Sequence, residues 1–150
     1  MSRTDSLGSA AASKPLRLSV SALIEDDAGR YLLLKRAASS AHFAGEWEPP
    51  GGKIDPHEPF DAALRREVKE ETGLDVVLLG AAGVTEFEIE RLRIIQLHIV
   101  AQASSTHVRI SKEHTEYAWV HPGDFDRVDL CPKLRNWREL VCTVKEDPPT

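Results

Sequence analysis

The sequence has little cysteine, no excess of positive charge and no long apolar run. Its two cysteines, Cys131 and Cys142, follow no CxxC or cysteine–histidine spacing, which argues against a zinc site and favours two ordinary thiols in a reducing cytoplasm. The chain has 19 Lys and Arg residues against 24 Asp and Glu, and this net charge of -5 gives no basis for binding a nucleic-acid polymer or an anionic membrane. No apolar run approaches the ~20 residues that cross a bilayer.

The length and composition fit one folded unit. A chain of 150 residues that is 41% hydrophobic can form one domain with a real core, but not two comfortable ones. The Ser/Ala-rich residues 1–15 lack the apolar core of a secretory signal and are predicted to be a disordered tail. We expect the domain to span 16–142, with residues 143–150 as a C-terminal tail.

Hydrophobic patterns predict an α/β fold with a mixed sheet between helices. LRLSVSALI and YLLLKR are predicted to be two strands joined by a hairpin, because the intervening EDDAGR supplies turn residues. Two longer strands are predicted in DVVLLGAAGVTEFEIE and RLRIIQLHIVAQAS, and a short one in EYAWV. A terminal helix is predicted over 132–142.

A central helix is predicted over residues 59–72. Pro59 suits the first helical position, and Gly73 suits the residue that ends the helix. An apolar stripe is expected from Phe60, Leu64 and Val68.

Three carboxylates, from Glu67, Glu70 and Glu71, fall within an arc of roughly 100° beside this stripe. Such groups raise one another's pKa unless a positive charge lies among them. Arg66 can pair with Glu70 across one turn, which leaves the carboxylates of Glu67 and Glu71 without a counter-charge. A divalent ion would answer them, and an oxygen-only ligand set suits Mg²⁺ or Mn²⁺, which bind substrate phosphates as well. For the KEE triplet alone, an ordinary solvated helix face remains the simpler interpretation.

The spacing of these residues is more specific than any of them alone. The pattern resembles the complete Nudix box of the MutT/Nudix hydrolases: Gly52 is followed after five residues by Glu58, and after seven more residues by REVKEETGL. The preceding WEPPGGKI resembles the family's usual lead-in. The resemblance implies an α/β/α sandwich whose box forms a loop, a helix and a loop. It also implies hydrolysis of a nucleoside diphosphate linked to another group.

The resemblance also implies residue roles. Glu70 and Glu71 would be ligands of Mg²⁺ or Mn²⁺, together with a backbone carbonyl of the glycine turn, best assigned to Gly51. Glu67 would be either a further ligand or the general base, since family members differ.

Supporting roles follow from the same resemblance. Arg66 would hold the carboxylates in place, and Glu58 would steady the loop. A second acidic site is expected just before the Trp-containing strand, with Glu113 as the first choice for a ligand or base and Glu116 as the second. An exposed-loop position is an equally good interpretation of either one taken singly.

The substrate is predicted by elimination. Features that mark the ADP-ribose and dinucleoside-polyphosphate subfamilies are missing after the box, so we expect a (d)NTP to give (d)NMP and pyrophosphate. Hydrolysis of ADP-ribose or a nucleotide sugar, or non-catalytic nucleotide sensing, are the alternatives. Lys35, Phe43 and Asn136 are candidate substrate contacts, although packing or surface positions would explain each of them. A monomer or a homodimer is expected.

Overall fold

The computed structural model describes the backbone of residues 14–146 and the side chains as far as Val141. The predicted N-terminal tail therefore lies outside the described residues except for 14 and 15, and residues 147–150 also lie outside them. The strands are β1 Leu16–Ile24, β2 Tyr31–Arg36, β3 Trp47–Glu48, β4 Gly51–Lys53, β5 Val76–Ile89, β6 Leu92–Ala103 and β7 His114–Val120. The helices are α1 Phe60–Thr72 and α2 Trp137–Glu146, with 3₁₀ turns at Pro122–Arg127 and Pro132–Leu134.

The strands form two sheets. One has the order β4-β1-β6-β5, with β1 parallel to β6 and the other pairs antiparallel, and the second has the order β3-β2-β7 with antiparallel pairs. The predicted mixed sheet and the α/β class are confirmed.

The predicted β1–β2 hairpin is wrong, because the two strands lie in different sheets. The chain does turn back between them, with a single bridge between Glu25 and Tyr31. Both edges of β1 are already paired, one with β4 and the other with β6 along its whole length, so β2 pairs with β3 and β7 instead. Local turn chemistry predicted the reversal but not the partner.

Helix α1 matches its prediction closely at both ends. Pro59 is the extended residue just before the helix, and Gly73 ends the helix in the left-handed conformation at φ 75°, where its N–H donates to the Lys69 carbonyl. Leu64 and Val68 are fully buried as expected, but Phe60 is 46% exposed. The helix therefore rests on its second and third turns, and Phe60 is not part of the core.

The C-terminal helix differs from its prediction. Residues 132–134 form a 3₁₀ turn, and α2 begins only at Trp137 and continues to Glu146. Leu134 and Leu140 are buried and pack with Tyr31 and Phe125 in one of two core clusters. The other cluster joins β1, β2 and β6 to α1, and it fixes the helix that carries the acidic residues. Within residues 14–146, no helix has both the length and the apolar character required to span a membrane.

Candidate active site

The glycine turn packs directly against a neighbouring strand and against α1. A Cβ atom on Gly51 would lie 2.1 Å from the carbonyl oxygen of Val20, and one on Gly52 would lie 2.6 Å from the carboxyl carbon of Glu67. The contact at Gly51 is with backbone and is far shorter than a real Cβ tolerates, so glycine is needed there, whereas the Glu67 side chain beside Gly52 could move. The absence of a side chain at Gly51 lets the backbone pack against β1, and Gly52 lies beside Glu67 of the acidic helix.

Arg66 is the centre of an ion-pair network beside this turn. Its guanidinium donates to both carboxylate oxygens of Glu58, at 2.9 and 3.0 Å, to Glu67 at 3.0 Å and to Glu70 at 3.2 Å. Glu58 also accepts a bond from the backbone N–H of Asp55, at 3.4 Å. These contacts agree with the expectation that Arg66 holds the carboxylates and that Glu58 steadies the loop.

Glu71 is almost fully buried, with 4% of the residue exposed. It accepts a hydrogen bond of 2.9 Å from the N–H of Gly51, which joins the helix to the glycine turn. Burial and the nearby Glu48 and Glu113 carboxylates raise the pKa of Glu71 to about 9, in spite of that bond. Burial also raises the pKa of Glu67. Ionisation of Glu71 is therefore unfavourable unless a further cation lies beside it.

The two candidates for the second acidic site, Glu113 and Glu116, lie in different surroundings. Carboxylate oxygens of Glu71 and Glu113 and a ring nitrogen of His114 lie within 4.8 Å of one another, close enough to share one ion. Glu116 instead pairs with Lys35 at 3.3 Å across β2 and β7. We call Glu67, Glu71 and Glu113 the carboxylate cluster.

Glu70 lies at the outer edge of this arrangement. Its side chain is 56% exposed and its contact is the ion pair with Arg66. To act as a metal ligand, as the sequence predicts, the Glu70 side chain would have to turn from Arg66 toward the other carboxylates.

A buried glutamate from the lead-in, Glu48, was missed at the sequence level. One of its oxygens accepts from Lys133 at 2.5 Å, and the other accepts from Arg36 at 2.9 Å and from His114 Nε2 at 2.8 Å. Burial opposes ionisation, but Lys133, His114 and Arg36 outweigh it and lower the pKa of Glu48 to about 2. The only sequence signal was an acidic residue inside an otherwise apolar WEPP segment.

A cleft with a volume of ≈ 420 Å³ lies beside the carboxylate cluster, and this volume is within the range of ordinary small-molecule sites. The carboxylate cluster and the glycine turn line one part of it. Cationic side chains in the lining are Arg17, Arg36, Lys53 and Lys133, and the remainder includes Phe43, Phe87, Ile94 and Gln96. The cleft thus combines acidic, cationic and aromatic surfaces.

The predicted substrate contacts fare differently. Phe43 lines the cleft, with its ring edge-on to Phe87 at 6.2 Å between centroids and its backbone at φ 55°, a conformation that is costly for an aromatic residue. Lys35 is engaged by Glu116. Both polar atoms of the Asn136 amide are used inside the fold, with Thr85 and with the Val84 carbonyl. Of the three, only Phe43 lines the cleft.

The donor set fits a hard divalent cation. Most of the possible ligand atoms are carboxylate oxygens. A cation beside Glu71 would stabilise its ionised form, which burial and nearby carboxylates now disfavour. A glycine turn and an acidic helix that meet in a cleft of an α/β fold define the class of protein as a Nudix-type domain.

Comparisons with known proteins agree with this class. The family model of the NUDIX domain matches residues 15–141. Nucleoside triphosphatase NudI of Escherichia coli O17:K52:H18 is 34% identical over 125 residues, which cover 76% of this chain and 88% of the relative. The crystal structure of MutT protein from Methanosarcina mazei Go1 superposes with a TM-score of 0.80 at 34% identity, covering 89% of this chain and 96% of that one.

A solution structure of the E. coli ORF135 protein gives a TM-score of 0.74 at 27% identity and covers 93% of this chain and 97% of that one. The chain belongs to the Nudix hydrolase family.

Proposed function

We propose that the protein hydrolyses a nucleoside or deoxynucleoside triphosphate to the monophosphate and pyrophosphate, with Mg²⁺ or Mn²⁺ as cofactor. The observation that carries this proposal is that one cleft is lined by the carboxylate cluster, by four cationic side chains, and by Phe43 and Phe87. A nucleoside triphosphate suits this lining, because its phosphates can pair with the cationic side chains and its base can pack against the aromatic ones. The likeness to a nucleoside triphosphatase at 34% identity supports the same substrate class.

Glu70, Glu71 and the carbonyl of Gly51 would hold the cation, with Glu113 as a further ligand. The N–H of Gly51 already bonds Glu71, so the peptide and the carboxylate are held together. When bound, the cation would neutralise charge on the phosphate oxygens and orient a water molecule.

Glu67 would act as the general base. It borders the glycine turn, and burial raises its pKa toward the range in which a carboxylate takes a proton efficiently. Water would add to one phosphorus of the α–β bridge and the bridging bond from oxygen to that phosphorus would break. Monophosphate and pyrophosphate would separate, and Glu67 would receive the water's proton. Arg66 would keep Glu67 and Glu70 oriented through its existing ion pairs.

Lys133 and Arg36 would bind phosphate oxygens in the cleft. Both side chains line it, and both are fixed from behind by the same buried carboxylate, Glu48. Cations held in this way lose little freedom when an anion binds.

The test is a hydrolysis panel of dNTPs, NTPs, ADP-ribose and nucleotide sugars with Mg²⁺, followed by product analysis. Monophosphate and pyrophosphate from a triphosphate are expected. Preferential release of a monophosphate and a sugar phosphate would favour the nucleotide-sugar or ADP-ribose alternative. Nucleotide binding without turnover across the panel would favour a sensor. A cytoplasmic location and a monomeric or homodimeric state remain predictions from the sequence.

A further inference from the structure

A buried polar atom without a hydrogen-bond partner in the described part of the chain belongs to one of the residues that line the cleft. Gln96 on β6 is 2% exposed and lines the cleft, and its Oε1 atom is buried with no hydrogen-bond partner among the described residues. Buried side-chain oxygens are nearly always paired in folded proteins, so this one calls for a physical reason.

The two cross-strand neighbours of Gln96 have hydroxyl groups but cannot satisfy it. Ser19 on β1 and Thr85 on β5 lie directly opposite Gln96 in the sheet. The hydroxyl of Ser19 donates to the carbonyl oxygen of Gly52 at 2.9 Å, which ties the sheet to the glycine turn. Its hydrogen is therefore committed elsewhere.

Thr85 is committed by a separate buried chain of hydrogen bonds. The Asn136 amide donates its N–H to the Val84 carbonyl, so its Oδ1 accepts the hydroxyl hydrogen of Thr85. The Thr85 oxygen then accepts from Nε2 of His98 at 2.9 Å, and the other ring nitrogen of His98 accepts from Ser21. Burial lowers the pKa of His98 to about 4, so its ring is neutral at pH 7 and this pattern is fixed. Neither cross-strand hydroxyl can therefore donate to Oε1 of Gln96.

The surroundings of Gln96 have the composition of a base-binding end. Ile94, on the same face of β6, is 7% exposed, and its cross-strand partner Phe87 contacts Phe43 edge to face. Flat apolar surfaces beside one buried amide suit a planar heterocycle with a hydrogen-bonding edge.

We propose that Gln96 determines base specificity by accepting, at Oε1, a hydrogen bond from an N–H group on the edge of the substrate's nucleobase. This inference rests on the proposed function, because it assumes that the cleft binds a nucleotide. The amide would also orient the base, since the adjacent Nε2 group can donate to a ring nitrogen or carbonyl next to that N–H.

The experiment is a cycle that combines a protein change with a substrate change. The best natural triphosphate is compared with an analogue whose base N–H has been removed, by deletion of the exocyclic amine or by N-methylation. Each substrate is tested with the wild type and with Gln96→Met, which keeps the side-chain length and removes both polar atoms. A loss of about 10- to 100-fold in kcat/KM is expected for either change alone, and little further loss for the two together.

Gln102→Met is the matched control, because Gln102 is exposed on the same strand. It should leave kcat/KM and base preference as in the wild type. Melting temperatures give a second readout. A purely structural glutamine would destabilise the protein when replaced, whereas removal of an unsatisfied buried oxygen should leave the melting temperature of Gln96→Met unchanged or raised.

The outcomes separate this inference from the proposed function. If the wild type hydrolyses no triphosphate, the proposed function fails. If it does hydrolyse them but Gln96→Met keeps the wild-type ratio between the natural substrate and its analogue, Oε1 meets only solvent or packing and the inference is overturned.

Discussion

Glu48 and Glu71 are buried to nearly the same extent, with 3% and 4% of each residue exposed, yet their carboxyl groups have opposite tendencies. The pKa of Glu48 is lowered to about 2 and that of Glu71 is raised to about 9. The difference lies in their partners. Glu48 has Lys133, Arg36 and His114, whereas Glu71 has one backbone N–H and faces other carboxylates. The carboxylate of Glu48 is neutralised by partners within the fold, whereas the carboxyl group of Glu71 favours its protonated form.

The largest effect expected from this comparison is on activity. Glu71→Gln should lower kcat/KM for the triphosphate by about 1,000-fold, because it removes a proposed cation ligand from the cluster. Its melting temperature without metal should not fall, since a carboxyl without a counter-charge is replaced by a neutral amide of the same shape. The checks are steady-state kinetics and thermal unfolding in EDTA. Glu116→Gln is the matched control, and activity of Glu71→Gln within tenfold of the wild type would contradict the assignment.

The next effect is on stability. Glu48→Gln should lower the free energy of unfolding by about 3 kcal/mol, because Lys133 and Arg36 lose the carboxylate that neutralises them. Urea unfolding of the metal-free protein measures this change. A loss below about 0.5 kcal/mol would mean that these two cations find solvent or other partners at little cost, and the contrast with Glu71 would then disappear.

The two glutamates should also give opposite pH dependences. Because the folded-state pKa of Glu71 is raised from 4.5 to about 9, its contribution to stability is fully present below pH 4.5 and is lost as the pH rises toward 9. The slope from this group is at most about 1.4 kcal/mol per pH unit. Because the pKa of Glu48 is lowered to about 2, its contribution is present above pH 4.5 and is lost as the pH falls toward 2.

Unfolding of the metal-free protein between pH 3 and 9 checks both directions. The alkaline loss should be absent in Glu71→Gln and reduced by saturating Mg²⁺. An alkaline loss that is the same in wild type and Glu71→Gln would assign it to another group.

The smallest effect is expected on the surface. Lys35 and Glu116 form a pair whose side chains are 36% and 58% exposed. Lys35→Met should change the free energy of unfolding by less than about 1 kcal/mol and kcat/KM by less than about twofold. The same measurements on Glu113→Gln, from the neighbouring loop, should show a clear loss of activity. Equal effects of the two substitutions would show that Glu113 does not belong to the functional carboxylate cluster.

The local features of the site could be predicted from the sequence. Pro59 and Gly73 mark the ends of α1, and the spacing of Glu67, Glu70 and Glu71 places them together because helical geometry depends only on the chain's own turn. The glycine pair was also visible, but as an expected break in regular structure. Gly51 and Gly52 instead belong to strand β4, which pairs with β1.

The remaining features depend on contacts between distant segments. Glu48 meets Lys133 across 85 positions, and Gln96 is isolated by the commitments of Ser19 and Thr85 on two other strands. The hairpin prediction failed for the same reason. The residues of the turn after β1 carry no information about β6, which pairs with one edge of β1. Pairing between strands and burial of polar groups are properties of the assembled sheet.

Calorimetric titration of Mn²⁺ in the presence of nucleotide, repeated in buffers of different ionisation enthalpy, tests the central claim most directly. A cation that binds Glu71 must displace the proton that a pKa of about 9 keeps on it at pH 7.5. We predict release of about one proton per binding event in the wild type, and weaker binding without that release in Glu71→Gln. Equal affinity and equal proton release in the two proteins would contradict the account.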